Sequence, residues 1–276
     1  MELAILSFPT DEGMHPSDLA TEVEARGFES LWFPEHTHMP VDHSPHPSGQ
    51  GLPEMYKRTY DPFVGLAMAA AATSDLRVGT GICLVAQHHP INLAKQVSSL
   101  DRLSDGRFEF GIGYGWNAPE AEAHGTAFAD RRDVVRESVL AIKELWTEDV
   151  AEFSGDHMQL APTWQWPKPT QDPHPPVLLG AALGDQTVDA LVEFCDGWMP
   201  IGMKAVVEGV PKVRSALEEA GRDPDAFTVF VYGTKPSVER MEALADHGVD
   251  RVGLWVEPGP RGDVIPQLDR LAELVG

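Results

Sequence analysis

Residues 77–86 read Arg77-Val-Gly-Thr-Gly-Ile-Cys-Leu-Val-Ala86, an apolar run with no charge after its first residue. Nothing in it alternates polar with apolar, so neither face is marked for solvent. That pattern predicts a strand covered on both faces, as in a parallel sheet. A helical pattern from Asn92 to Leu103, closed by Ser-Asp-Gly, comes next, and then a second run of the same kind, Arg107-Phe-Glu-Phe-Gly-Ile112. Strand, helix and strand in that order make a βαβ unit.

The alternation extends in both directions. Upstream, Leu3–Phe8 and Ser30–Phe33 read as strands, with helices over His15–Arg26 and Asp61–Thr73. Pro16 and Gly27 stand where a helix starts and stops. Downstream, Arg131–Trp146 is an amphipathic helix with Val135, Val139, Ile142 and Trp146 on one face. Strands follow at Val177–Leu179, Gly197–Ile201, Phe227–Val231 and Arg251–Val256, and a last helix carries Val264, Ile265, Leu268, Leu271 and Leu274. About eight such units predict an α/β fold, a closed (β/α)8 TIM-type barrel, with a doubly wound open sheet as the alternative. All 276 residues are read as one barrel domain.

Two stretches interrupt the rhythm. Residues 37–60, after the second strand, carry Pro40, Pro45, Pro47 and Pro53 with His38, His43 and His46. A loop of that length predicts a functional lid over the catalytic face. Residues 147–176, before the fifth barrel strand, hold a hairpin pattern (151–153 and 158–160 around Gly155-Asp156) and a segment rich in Trp and Pro.

The formal charge is −22, which argues against nucleic acid as a partner. No apolar stretch is long enough for a membrane span. Met1-Glu2 leads straight into a strand without a basic n-region, so no signal peptide is expected. Cys83 and Cys195 form no CxxC and no zinc pattern, and are expected as buried thiols in a reducing cytoplasm.

Barrel active sites gather at the carboxyl ends of the strands. Glu35-His36 ends the second strand, and histidine exchanges protons near neutrality. The other reading of His36 is a structural hydrogen bond. A metal at His36-x-His38 would need further ligands, and Gly180-Ala181 and Pro200-Ile201 offer none, so no metal is expected. His88-His89 reads as surface or supporting. Gly111-x-Gly113-x-Gly115 departs from GxGxxG. Its glycines are read as clearing room for a planar ligand, on which Tyr114 and Trp116 either stack or simply pack the rim. Gly79 and Gly81 within a strand suggest a bulge or a close ligand. The Gly180–Gly184 turn before a helix is a candidate phosphate site, if Asp185 caps the helix and faces away.

Taken together, six segments resemble the luciferase-like monooxygenase superfamily, and within it the deazaflavin (coenzyme F-420)-dependent oxidoreductases: FPEHTHMP, RTYDPFVGLAMAAAATSDLRVGTGICLV, LDRLSDGRFEFGIGYGWN, ELWTEDVAEFSGDHMQL, WPKPTQDPHPPVLLG and CDGWMP. They span residues 33–200 in order, and the C-terminal third fits more loosely. The resemblance implies an oxidoreductase that transfers hydride between coenzyme F-420 and a small organic substrate. FMN-dependent monooxygenation is the alternative reading, and a non-catalytic flavin-binding protein is another. It implies His36 and Glu35 as catalytic residues, with Glu35 near the ring edge. Cofactor contacts are implied at Thr80, Gly81, Ile82, Gly113, Tyr114, Gly115 and Trp116, and a strand bulge with a cis peptide at Gly81-Ile82. Phosphate contacts are implied at Gly180, Ala181, Ala182, Leu183 and Gly184, where relatives commonly carry a Gly-Gly pair. His38, Met39 and Trp164 are expected to line the substrate under the lid, and a homodimer is implied. The acidic tail of the coenzyme calls for basic residues, and Lys57-Arg58 and Arg131-Arg132 are the candidates, unless they are solvated surface charge.

Overall fold

The computed structural model describes residues 1–275. Eight parallel strands close a barrel: β1 (Glu2–Leu6), β2 (Ser30–Phe33), β3 (Arg77–Thr80), β4 (Phe108–Gly113), then β7 (Val177–Gly180), β8 (Gly197–Trp198), β9 (Thr228–Val231) and β10 (Arg251–Trp255). The remaining strands, β5 (Ala151–Ser154) and β6 (Gln159–Thr163), form the antiparallel hairpin expected before the fifth barrel strand. Helices α1 (Pro16–Ala25), α3 (Pro62–Ala72), α4 (Pro90–Leu103), α6 (Arg131–Thr147), α7 (Asp185–Phe194), α8 (Met203–Glu219), α9 (Val238–Asp246) and α10 (Arg261–Ala272) lie between or after the barrel strands. Two short helices, α2 (Met55–Arg58) in the lid and α5 (Ala118–Ala123) after β4, belong to the carboxyl-terminal face.

Alternation along each strand sorts the side chains. Ile5, Leu31, Phe33, Val78, Phe110 and Leu254 point out into one large apolar layer against the helices. Ala4, Leu6, Trp32, Leu178, Met199 and Phe230 fill the barrel interior. The interior glycines follow from this filling. A Cβ on Gly79 would lie 2.4 Å from the Trp32 ring, and one on Gly253 would lie 2.7 Å from Leu6. Packing therefore accounts for Gly79 without a ligand, contrary to the reading of that glycine from the sequence alone.

The third strand is shorter than its sequence predicts. It pairs with β2 only as far as Thr80, and a cis peptide joins Gly81 to Ile82. Cys83 then regains a single bridge to Ile112, and Val85–Gln87 forms one 3-10 turn. The apolar run that looked like ten residues of strand is thus a four-residue strand followed by a shelf at the barrel mouth.

The C-terminal end of the lid is fastened to the first βα loop. Thr59 bridges Thr10, and the Tyr60 N–H donates to the Pro9 carbonyl at 2.8 Å. No helix among the described residues is long and apolar enough to cross a membrane.

Candidate active site

Glu35 and His36 leave β2 side by side in sequence but part at once. Glu35 is buried and turns toward the shelf. Its carboxylate accepts from the Leu84 N–H at 2.6 Å and lies 2.7 Å from His88 Nε2. Burial pushes this carboxyl up, but the His88 ring and the Leu84 amide outweigh it and hold it below its ordinary value. The same pairing raises His88 against its own burial. Cys83 brings its sulfur to this cluster, and the three donor atoms lie within 4.8 Å of one another. Burial and the neighbouring Glu35 push the Cys83 thiol up, so it stays protonated and the group reads as a hydrogen-bonded clamp on the shelf.

His36 is paired instead with Glu120, on the first turn of α5. Its Nδ1 lies 3.0 Å from both carboxylate oxygens. A carboxylate only accepts, so in the neutral ring Nδ1 carries the proton and Nε2 keeps its lone pair. Asn117 donates to Glu120 at 3.3 Å. The sequence reading placed the helpful carboxylate at Glu35; the structure places it at Glu120. The signal was present as Trp116-Asn-Ala-Pro-Glu120, a carboxylate in the first turn of the short helix that follows β4, but only the fold brings it under His36.

The lid closes over this pair with rings. Tyr56 lies 4.9 Å from the His36 ring, 5.0 Å from His46 and 4.8 Å from Phe8, and Trp116 lies 5.4 Å from His46 and 6.0 Å from His36. Burial raises the Tyr56 phenol, which therefore stays neutral. Asn117 fixes the lid, accepting from the Ser44 N–H at 2.9 Å and lying 3.3 Å from the Met39 sulfur. His38 is exposed and lies beside His124, the rings tilted with centroids 5.3 Å apart. Trp164 stands 77% exposed beside α4, outside the rings gathered over His36. Tyr56, Phe8 and Asn117 were not anticipated, and His46 only as one histidine of the lid, because loop contacts leave no periodicity.

Next round the mouth, past β3, Ile82 covers the glycines. A Cβ on Gly113 would lie 1.8 Å from the Ile82 side chain, and one on Gly180 would lie 3.0 Å from it. The room those glycines clear is taken by Ile82, so a ligand there meets an aliphatic shelf and not bare backbone. Thr80 is fully buried, and its hydroxyl donates to the Gly111 carbonyl at 2.7 Å. Tyr232, past β9, donates to the Gly81 carbonyl, a support that the sequence did not reveal. Gly115 has φ 74°, a conformation suited to glycine, and Tyr114 packs against the core with its phenol pushed up to about 12 by burial.

In the Gly180–Gly184 turn, Gly184 and not Asp185 caps α7. Asp185 is the first helical residue and pairs with Lys212 at 2.7 Å. The Ala181 carbonyl accepts from Trp198 and the Ala182 carbonyl from Thr187, while Leu183 packs inward near Gly209. Of the two basic pairs, the lid pair is matched: Lys57 to Glu54, and Arg58 to Asp11 and Glu12, each at 2.9 Å.

A barrel whose carboxyl-terminal mouth holds a carboxylate-fixed histidine, a shelf past β3 and a glycine turn before α7 agrees with the family model for luciferase-like monooxygenases, which matches residues 15–264. The chain belongs to the luciferase-like monooxygenase family. An uncharacterized protein of Mycobacterium tuberculosis is 35% identical over 277 residues, covering 99% of this chain and 98% of its own length. The F420-dependent hydroxymycolic acid dehydrogenase of the same organism is 26% identical, covering 74% of this chain and 54% of its own length. Among solved structures, a monooxygenase from Streptomyces bottropensis superposes with a TM-score of 0.81 over 99% of this chain and 98% of its own, at 22% identity. Other relatives of this luciferase-like chain include a flavin-dependent monooxygenase component, so the family holds both F420-dependent and flavin-dependent oxidoreductases.

Proposed function

We propose that this chain is a coenzyme F-420-dependent oxidoreductase acting on a small organic substrate, with His36 as its proton-handling residue. One observation carries the reading: both oxygens of buried Glu120 hold His36 Nδ1 at 3.0 Å, and Nε2 makes no hydrogen bond among the described residues. Such a ring is oriented to give or take a proton at a single atom, under a lid that keeps water away. When bound, the deazaflavin supplies hydride transfer and reacts poorly with oxygen.

The mouth fits a planar group with an anionic arm. Ile82 and Trp116 offer apolar surface on two sides of the mouth. The first amides of α7 have no acceptor within their helix, and nothing lies within 4 Å of a Cβ built on Gly184. Ile82, Gly115, Trp116 and the Gly180–Gly184 turn are the residues that would hold the cofactor. Thr80 and Glu35 act behind the shelf.

Parallel titration of cofactor-free protein with coenzyme F-420 and FMN, followed by tryptophan fluorescence, tests the cofactor. His36→Ala tests the mechanism: turnover falls by about 10²–10⁴-fold while the cofactor still binds. Retained turnover overturns the role of His36. The second reading, an FMN-dependent monooxygenase, draws on Ala181-Ala182 where relatives commonly carry Gly-Gly and on the flavin-dependent relative. Tight FMN binding with oxygen consumption selects it.

The homodimer belongs to the same reading. From Pro62 to Ser74 no residue is charged, and Val64 and Met68 of α3 are 65% and 44% exposed. On a chain of charge −22, an uncharged helix face suits contact with a second copy. Val64→Glu with Met68→Glu is expected to yield monomers in sedimentation. The reduced, buried state of Cys83 and Cys195 supports a cytoplasmic setting.

A further inference from the structure

Among the described residues, five arginines bury an N–H that makes no well-aligned hydrogen bond: Arg58, Arg131, Arg132, Arg214 and Arg251. Three of them satisfy the rest of the guanidinium with carboxylates: Arg58 with Asp11, Arg214 with Asp225, and Arg251 with Glu109. Arg131 and Arg132 do not, since neither comes within 4.0 Å of a carboxylate. Arg131 lies over the Phe128 ring at 3.7 Å and donates to the Phe128 carbonyl at 2.6 Å. Arg132 lies over the Tyr114 ring at 4.2 Å. Burial and the neighbouring Arg132 charge pull Arg131 below its ordinary value.

The chain has 43 acidic and 21 basic residues, so carboxylates are abundant. Two adjacent, half-buried guanidiniums left without one are a costly arrangement unless an anion from outside completes it. Guanidinium is planar and forked, and matches an oxyanion through paired N–H groups. The place is also informative. Tyr114 is the first residue past β4, and Gly113 before it pairs in register with Gly180. The ring under Arg132 therefore stands at the strand end next to the Gly180–Gly184 turn, on the face that carries His36.

We infer that Arg131 and Arg132 form an anion subsite that takes a phosphate or carboxylate group on the arm of the ligand bound at the mouth. The inference rests on the proposed cofactor reading for the identity of that ligand. Both candidate cofactors carry such an arm. FMN ends in a phosphate, and coenzyme F-420 continues through a phosphate into glutamates.

The test compares wild type with Arg131→Gln/Arg132→Gln by tryptophan fluorescence at low salt, using riboflavin, FMN and coenzyme F-420 with and without its glutamates. Wild type is expected to bind the anionic member of a pair at least tenfold more tightly, and the variant to lose most of that preference while its riboflavin affinity holds. Loss confined to the FMN–riboflavin difference assigns the subsite to phosphate, and loss confined to the glutamate increment assigns it to carboxylates. A preference that survives intact overturns the subsite. The conservative Arg131→Lys/Arg132→Lys variant, with circular dichroism and melting as controls, is expected to recover part of the preference. If wild type binds none of these ring compounds, calorimetry with pyrophosphate decides. Heat of binding in wild type and none in the Gln variant keeps the subsite and overturns the cofactor reading. No heat in either overturns both.

Discussion

The two mouths of the barrel treat charge in opposite ways. At the amino-terminal mouth, Arg251 and Arg77 converge on Glu109 and Glu29, with Arg251 2.8 Å from Glu109 and 2.9 Å from Glu29, around a hollow of about 530 Å³. Each buried cation there has a carboxylate. At the carboxyl-terminal mouth, His36 is fixed by Glu120, rings fill the space above it, and Arg131 and Arg132 have no carboxylate partner among the described residues. The first arrangement is a plug that closes the barrel. The second leaves polar groups unmatched where a ligand would match them, as expected when the carboxyl face carries function and the opposite face stability.

The largest effect is expected from breaking the plug. Arg251→Met leaves buried Glu109 and partly buried Glu29 to share Arg77 alone and should cost about 3–5 kcal/mol, read by urea denaturation, while turnover per folded molecule stays near wild type. A large loss of turnover in the folded fraction would erase the distinction between the mouths. Gly79→Ala forces a methyl against the Trp32 ring between the two mouths and should cost about 1–3 kcal/mol, with the melting temperature as readout.

Glu120→Gln acts on the carboxyl face alone. It keeps an acceptor for Nδ1 but removes the charge, so turnover is expected to fall about tenfold, with the melting point and cofactor affinity little changed. Turnover that does not fall would reduce Glu120 to a packing residue.

The last effect is read against pH and concerns Glu29. Burial outweighs the Arg251 charge and, with Glu109 and Glu2 nearby, lifts this carboxyl from 4.5 to about 7. Between those pH values the folded chain holds a proton that the unfolded chain has released, so stability declines as pH rises through that window. The decline is at most about 3 kcal/mol. Glu29→Gln should flatten it, as followed by melting temperature from pH 5 to pH 8.

The order of strands and helices was legible in the sequence because burial writes itself locally. A strand covered on both faces is apolar throughout, as in 108–113, and a helix on a barrel is apolar on one side, as in 131–147. The lid and the hairpin were legible as interruptions of that rhythm, and His36 as a titratable residue at a strand end. What the sequence could not settle was pairing. Glu35 and Glu120 are both carboxylates near strand ends, but only the closed barrel turns one to His88 and the other to His36. Lys57-Arg58 and Arg131-Arg132 are equivalent as letters, and only the tertiary structure matches the first pair with acids and leaves the second without them. Backbone periodicity depends on near neighbours in the chain. Hydrogen bonds and ion pairs depend on which distant side chains share a few ångströms, and that is decided when the barrel closes.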